Sequence, residues 1–144
     1  MKIAGIVWKD KKDNLWLCEV PLLDLATQAQ TKEEIAEMAK DAVESLVNDK
    51  NFSVTVFLQK DSLYLEANDQ KKLISLILKR QRKKNKLTLE EVAAHLHAKS
   101  INEYAQYEKG DHQPSFEKFE RLLQAIDPNI QPVISCLPIN PTIK

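Results

Sequence analysis

The sequence predicts an α+β chain in two parts: an antiparallel sheet with one covering helix, then an all-α unit of short helices. Strand-like stretches fill most of the first 66 residues and are interrupted by one helical period. From about Gln70 to Asp127 the apolar residues instead recur at three- and four-residue spacing. The charge changes at the same place. The 144 residues carry 21 Lys plus Arg and 21 Asp plus Glu, but residues 1–66 hold 8 Lys against 12 acids, a net of −4, and residues 67–144 hold 13 basic residues against 9 acids, a net of +4. The formal zero is thus a cancellation, and it predicts different partners for the two parts.

Met1 to Trp8 is short and apolar, Lys9 to Asn14 is a charged loop, and Leu15 to Val20 resumes the apolar run, which reads as a β-hairpin. Pro21 to Ala29 continues as a third, irregular strand. Thr31 stands three residues ahead of Glu34, a capping-box spacing that opens a helix from Lys32 to about Val47. Its stripe of Ile35, Ala39, Ala42 and Leu46, with Val43 and Val47 beside it, is expected to be buried. Phe52, Val54, Val56 and Leu58 then alternate with polar residues, broken only by Phe57, and Ser62 to Glu66 adds a hairpin partner. The order is βββαββ or βββαβ.

In the second part Leu73, Ile74, Ile77 and Leu78 mark a helix ending near Asn85-Lys86. Thr88 with Glu91 forms a second capping box, with Leu87 stapled on Val92, for a helix to about Leu96. Ser100 with Glu103 gives a third box for a helix that Gly110 closes. Pro114-Ser115 opens the last helix, with Phe116, Phe119, Leu122, Leu123 and Ile126 at core spacing and Asp127-Pro128 as the stop. Four short helices, the second and third joined by a few residues, fit a helix-turn-helix domain. The division is 1–66, 67–127, and a tail over 128–144 with Pro128, Pro132, Pro138 and Pro141. The tail's Ile130, Val133, Ile134, Leu137 and Ile139 predict that it packs against something.

The 43% hydrophobic content with only 2 Gly describes an ordinary globular chain. Cys18 and Cys136 lack any C-x-x-C partner, which argues against a zinc ribbon or disulfide framework, and both are expected as reduced, buried thiols. Lys9 and Asp10 interrupt the apolar start, and no long apolar run follows. A cytoplasmic protein with no membrane association is expected.

The segment Arg82 to Ser115 resembles the XRE (lambda-repressor-like) helix-turn-helix family. The match is carried by Arg82, Leu87-Thr88-Leu89-Glu90-Glu91-Val92-Ala93, Tyr107-Glu108-Lys109-Gly110 and Pro114-Ser115. The resemblance implies an ion pair between Arg82 and Glu108 and a close helix contact at Ala93. His97 replaces the usual turn Gly and one extra residue separates Ala93 from Gly110, which implies a reshaped turn at Ala98-Lys99. The whole chain is similar to HicB-family antitoxins with an appended XRE domain. Its first part is so through Pro21, Thr27-Gln28-Ala29-Gln30-Thr31, Glu33-Glu34-Ile35-Ala36 and Ala39. That resemblance implies a partial RNase-H-like sheet domain that masks a HicA-like mRNA-cleaving toxin, and a DNA-binding domain that represses the shared operon.

Within a recognition helix opening at Ser100, Asn102 and Gln106 share a face at i and i+4, and both amides can pair with adenine. Lys83, Lys84, Lys86 and Lys99, with the helix ends, are expected to hold phosphates. Tyr104 and Tyr107 fall on the inward stripe, and Glu103 is expected to cap Ser100. His95 and His97 lie two apart and point to different sides, and His112 stands alone, so no metal site or cofactor is expected. A nuclease would need several acids converging on metal ions, whereas Asp10, Asp13, Asp24 and Glu33-Glu34-Glu37 have separate explanations. No enzyme is expected. Trp8 and Trp16, flanking the hairpin, are candidate toxin anchors and equally candidate core residues.

The combined expectation is a type II antitoxin that masks a HicA-like toxin and binds operator DNA as a homodimer or larger assembly, through sheet edges or the tail. The competing expectation is a stand-alone repressor with a ligand- or protein-sensing first domain.

Overall fold

The structure, a computed structural model, describes residues 1–137. Ile139, Pro138 and Pro141 of the predicted tail lie outside the described residues. Strands β1 (Ile3–Asp10), β2 (Leu15–Val20) and β3 (Leu25–Ala29) precede helix α1 (Lys32–Val47), and β4 (Val54–Gln59) and β5 (Ser62–Ala67) follow it. All neighbours pair antiparallel in the order β3-β2-β1-β5-β4, which places β1 in the middle. Of the two predicted orders, βββαββ is the one formed. Helices α2 (Gln70–Lys84), α3 (Leu89–His95), α4 (Asn102–Glu108) and α5 (Phe116–Ile126) complete the chain.

The sheet is covered on one face only. Ile3 and Val7 of β1, Cys18 and Val20 of β2, Val54 of β4 and Leu63 and Leu65 of β5 are buried against the helices. Ile35, Ala39 and Val43 of α1 meet them at four-residue intervals, whereas the predicted stripe member Leu46 is exposed because it sits one side-step away from that line. Thr31 Oγ1 accepts from Glu34 N at 3.2 Å, but the Glu34 carboxylate reaches back to Gln30 N rather than to the cap itself. Gly5 has a steric reason: a Cβ there would lie 2.7 Å from the Glu19 carbonyl oxygen of β2.

Pro21 interrupts the predicted third strand. A 3-10 turn (Pro21–Leu23) ends at Asp24, whose φ of 49° is left-handed, and β3 starts only at Leu25. This turn is where the helical part is fastened. Gln81 of α2 donates through Nε2 to Pro21 O at 3.0 Å and Leu22 O at 2.9 Å, and Arg80 donates through Nε to Leu23 O at 2.8 Å and through Nη2 to Asp24 O at 2.6 Å. On the same helix Leu73, Ile74, Ile77 and Leu78 are buried in one apolar cluster that runs from Ile3 to Ile126. Only Asn68 and Asp69 separate β5 from α2, and Asp69 caps α2 by accepting from Lys72 N at 3.2 Å. The acidic and basic parts therefore share a core.

Three expectations about exposure are corrected. Cys18 is buried and its thiol is pushed up to about 11, by desolvation first and by Glu19 second, but Cys136 is exposed in the extended segment after α5. Phe116 is 67% exposed although it shares the helical line of Phe119 and Leu123, because it is the first residue of α5 and lies beyond the edge of the core. Among the described residues of the tail only Ile130 packs against the core, while Val133 and Ile134 are 86% and 78% exposed.

Gln81 is buried, and its amide serves two carbonyls of the 3-10 turn, of which Pro21 O also accepts from Asp24 N at 3.0 Å. Gln81→Ala is expected to lower stability by about 1 kcal/mol, the net worth of the lost hydrogen bonds to part-buried acceptors. Thermal or denaturant unfolding of the full chain measures it, and a loss below a few tenths of a kcal/mol would show that the fastening is idle.

Candidate nucleic-acid interface

The helical part is built around an ion pair. Arg82, near the end of α2, holds the buried Glu108 at the end of α4 in a fork, with Nε to Oε2 at 2.7 Å and Nη2 to Oε1 at 3.0 Å, and its Nη1 also donates to Leu87 O at 2.9 Å. The bidentate geometry fixes α4 along its axis as well as in distance. Hydrogen bonding to Glu108 raises the Arg82 pKa further, so the guanidinium stays charged. Ser75 Oγ of α2 donates to the Glu108 carbonyl oxygen, a second tie on the same turn. Tyr104 is fully buried beside the pair, its hydroxyl without a hydrogen-bond partner. Burial first, and then the Glu108 carboxylate, push its pKa well above the ordinary phenol range, so it remains protonated. Tyr107 is half-buried, with His112 edge-on at 6.4 Å between ring centroids.

The turn between α3 and α4 keeps its left-handed residue. The capping box is present at α3: Thr88 Oγ1 accepts from Glu91 N at 3.1 Å and Glu91 Oε1 accepts from Thr88 N at 3.3 Å. At the other end His97 has φ 55°, the conformation for which Gly is favoured. His95, whose side chain points elsewhere, is tied through Nδ1 to Ala125 O at 2.8 Å, so α3 is held against α5. No group of three or more His, Cys, Asp or Glu arranged to hold a metal occurs among the described residues.

The third capping box does not form. Helix α4 starts at Asn102, its cap position is Ile101 with helical dihedrals (φ −59°, ψ −35°), and no side chain caps it. The chain enters through a tight turn instead, with Glu103 N donating to Ser100 O at 3.3 Å and Tyr104 N to Ile101 O at 3.1 Å. Glu103 Oε1 accepts from Lys99 N at 3.1 Å and not from Ser100. The physical reason is the extra residue, which moves Ser100 out of cap position. A consequence follows for phosphates. Glu91 N at the start of α3 and Glu103 N and Tyr104 N at the start of α4 are engaged by these local acceptors, so the predicted phosphate contacts at the helix ends fall to the amides of Leu89, Glu90 and Asn102 beside the lysines.

The proposed contact residues divide by exposure. Lys99 and Ser100 in the turn, Asn102 at the first position of α4, Lys83 and Lys84 at the end of α2, and Lys86 between α2 and α3 are all exposed. Gln106 is half-buried one turn after Asn102, and its Nε2 donates to Glu103 O at 3.2 Å, a weak local bond that a base edge can replace. Eight basic residues and no acid lie between Lys71 and Lys86. Structure separates them: Lys72 pairs with Asp49 and Asp69, Arg80 holds the 3-10 turn, and Arg82 holds Glu108. Lys71, Lys79, Lys83, Lys84 and Lys86 remain exposed and outside the salt bridges of the described residues. Their periodicity carries the signal: Arg82 stands with the inward stripe and Lys83-Lys84 do not.

Trp8 and Trp16 do not form one surface. Trp8 is exposed on the uncovered face of the sheet, whereas Trp16 is half-buried on the helix side, with the Lys32 ammonium 5.6 Å from its ring centroid. Alternation along paired strands puts them on opposite faces.

Arg82→Ala leaves the Glu108 carboxylate buried and unpaired. A loss of about 3–5 kcal/mol is expected, against a much smaller loss for the exposed neighbour Lys83→Ala. Equal losses in denaturant unfolding would contradict the assignment of Arg82 to the scaffold.

Residues 78–127 match the family model described as Helix-turn-helix, a segment that runs from the end of the buried stripe of α2 through α5. No curated protein matches the chain. No helix among the described residues is long and apolar enough to cross a membrane. The match coincides with the Arg82–Glu108 scaffold and the α3–α4 turn, and it marks this part of the chain as a DNA-binding unit of the kind used by transcriptional regulators.

Proposed function

We propose that the chain is an antitoxin of a type II toxin-antitoxin system, in the manner of the HicB family: the sheet part masks a HicA-like mRNA-cleaving toxin, and the helix-turn-helix part represses the shared operon in the cytoplasm. The observation that carries this reading is the joining of a −4 part to a +4 part through one core. A protein that binds RNA presents a basic surface, and an acidic domain is steered to it and competes with RNA for it. The acids are concentrated on the outer side of α1, where Glu33, Glu37 and Asp41 stand four residues apart and exposed, next to the exposed Met38. Trp16 of β2 lies under Lys32, the first residue of α1, and is the better of the two tryptophans for this role. Operator contact falls to Asn102 and Gln106 for bases and to Lys83, Lys84, Lys86 and Lys99 for phosphates, with Ser100 at the entry to α4.

For the masking role, the product of the neighbouring reading frame is co-expressed with the full chain. Growth rescue and co-purification are expected, and Glu33→Lys with Asp41→Lys is expected to weaken the complex. A neighbour that is not toxic, or that is neither bound nor neutralised, would favour the stand-alone repressor with a sensing first domain.

For the DNA role, Gln106→Ala is expected to weaken operator binding roughly tenfold, within the range of one bidentate base contact, with melting unchanged. Replacing Lys83 and Lys84 together is expected to lower the salt-dependence slope by about 2 without altering preferred sequence. Operator affinity unmoved by Gln106→Ala would return that residue to the solvated surface.

A further inference from the structure

We propose that Ile101 covers the 5-methyl group of a thymine in the operator, and so sets sequence preference beside Asn102 and Gln106. Its position breaks two local rules at once. Ile101 occupies the cap position of α4, where Ser, Thr, Asn or Asp would accept from the first amides, and no side chain does so. It is also 40% exposed and takes no part in the apolar core, although its helical line runs on through the buried Tyr104, Ala105 and Glu108. A β-branched apolar side chain that neither caps nor packs brings the fold no gain, and departures of this kind collect at functional sites.

Neighbours and direction select the ligand. Ser100 and Asn102 on either side are exposed, Lys99 precedes them, and Gln106 follows one turn after Asn102, so Ile101 lies inside the set already placed against DNA. Helical Cα–Cβ bonds tilt toward the start of the helix. Ile101 has helical dihedrals and stands just before the first residue of α4, so its side chain projects past that end of the helix rather than along its flank. Glu103, the acid of this turn, is drawn back to Lys99 N at 3.1 Å. The base edges of the major groove present donors, acceptors and one methyl group, that of thymine, which is the feature an apolar side chain can cover. The inference rests on the operator reading of Asn102 and Gln106 and is independent of the toxin. It adds a preference the amides do not supply, since they pair with adenine and the methyl contact fixes a thymine at a neighbouring step.

The test uses DNA selected by the full chain from a random duplex library. Each thymine of the selected sequence is replaced singly by deoxyuridine, which removes the methyl group and leaves base pairing intact. One thymine in each half-site is expected to be sensitive, with affinity falling roughly fourfold, the worth of one buried methyl group. Ile101→Ala, its folding checked by circular dichroism, is expected to bind the thymine duplex roughly fourfold more weakly and to be indifferent to deoxyuridine at that position. Gln106→Ala is expected to bind more weakly and to keep the deoxyuridine penalty. Ile101→Ser, whose hydroxyl suits a cap position, gives the same readout if Ile101→Ala does not fold. A wild type indifferent to every deoxyuridine, or folded Ile101 variants that retain the full penalty, would overturn the assignment while Gln106→Ala still marks the operator. Selection of no preferred sequence would instead overturn the operator reading, and this inference with it.

Discussion

Three consecutive side chains on α2 fix the relation between the parts of this molecule. Arg80 and Gln81 reach the carbonyl oxygens of Pro21 to Asp24 in the sheet part, and Arg82 reaches Glu108 in the helical part. Successive residues on a helix point about 100° apart, so adjacent positions can serve opposite neighbours. Each is a donor with a specific acceptor, and the buried Gln81 and Glu108 are the members costly to leave unpaired. The 3-10 turn at Pro21 is as necessary as the helix, because it turns four successive carbonyls away from strand pairing and toward α2. Helix α2 is thus both the first helix of the DNA-binding unit and the second cover of the sheet.

That dual duty changes the meaning of the charge. The +4 of residues 67–144 suggests a basic surface, yet Lys72, Arg80 and Arg82 are held by acceptors of the fold. Counterion release scales with the number of phosphates neutralised, so the charges that count for DNA are the exposed lysines alone. The acids of residues 1–66 are likewise uneven. Glu44 is tied to Lys40 and to Val54 N, a hydrogen-bonded setting that holds its carboxyl below the usual range, whereas Glu33, Glu37 and Asp41 face solvent.

Element identity was legible wherever period and cap agreed. Helix α1 spans the residues expected, α3 carries its capping box, and Gly110 closes α4 with φ 79°. The helix-turn-helix was legible through its caps and spacing, the Arg82–Glu108 pair through the resemblance to the XRE family, and the exposure of the candidate contact positions Asn102 and Lys83-Lys84 through periodicity. What could not be read was governed by contacts distant in sequence. Nothing local says that Gln81 and Arg80 serve carbonyls some 60 residues earlier, or that one extra residue displaces Ser100 from its cap. Exposure of Phe116 and Cys136 likewise depends on where the core ends, which composition does not encode.

Phe57 shows how a departure from period carries information. In β4 the residues Val54, Val56 and Leu58 face the helices, and Phe57 between them breaks the alternation that a half-solvated strand should have. A single exposed aromatic is unremarkable on its own, since folded surfaces retain much apolar area. Its partner across the ladder is Tyr64, the next strand offers Ala4 and Ile6, and the strand beyond offers Leu17 opposite Trp8. Each of these residues looks incidental in its own strand, and only the register aligns them. A one-residue slip would scatter them between core and solvent, so the pairing that builds the core also assembles the outer patch. The cost of keeping that patch in water is borne by four strands together.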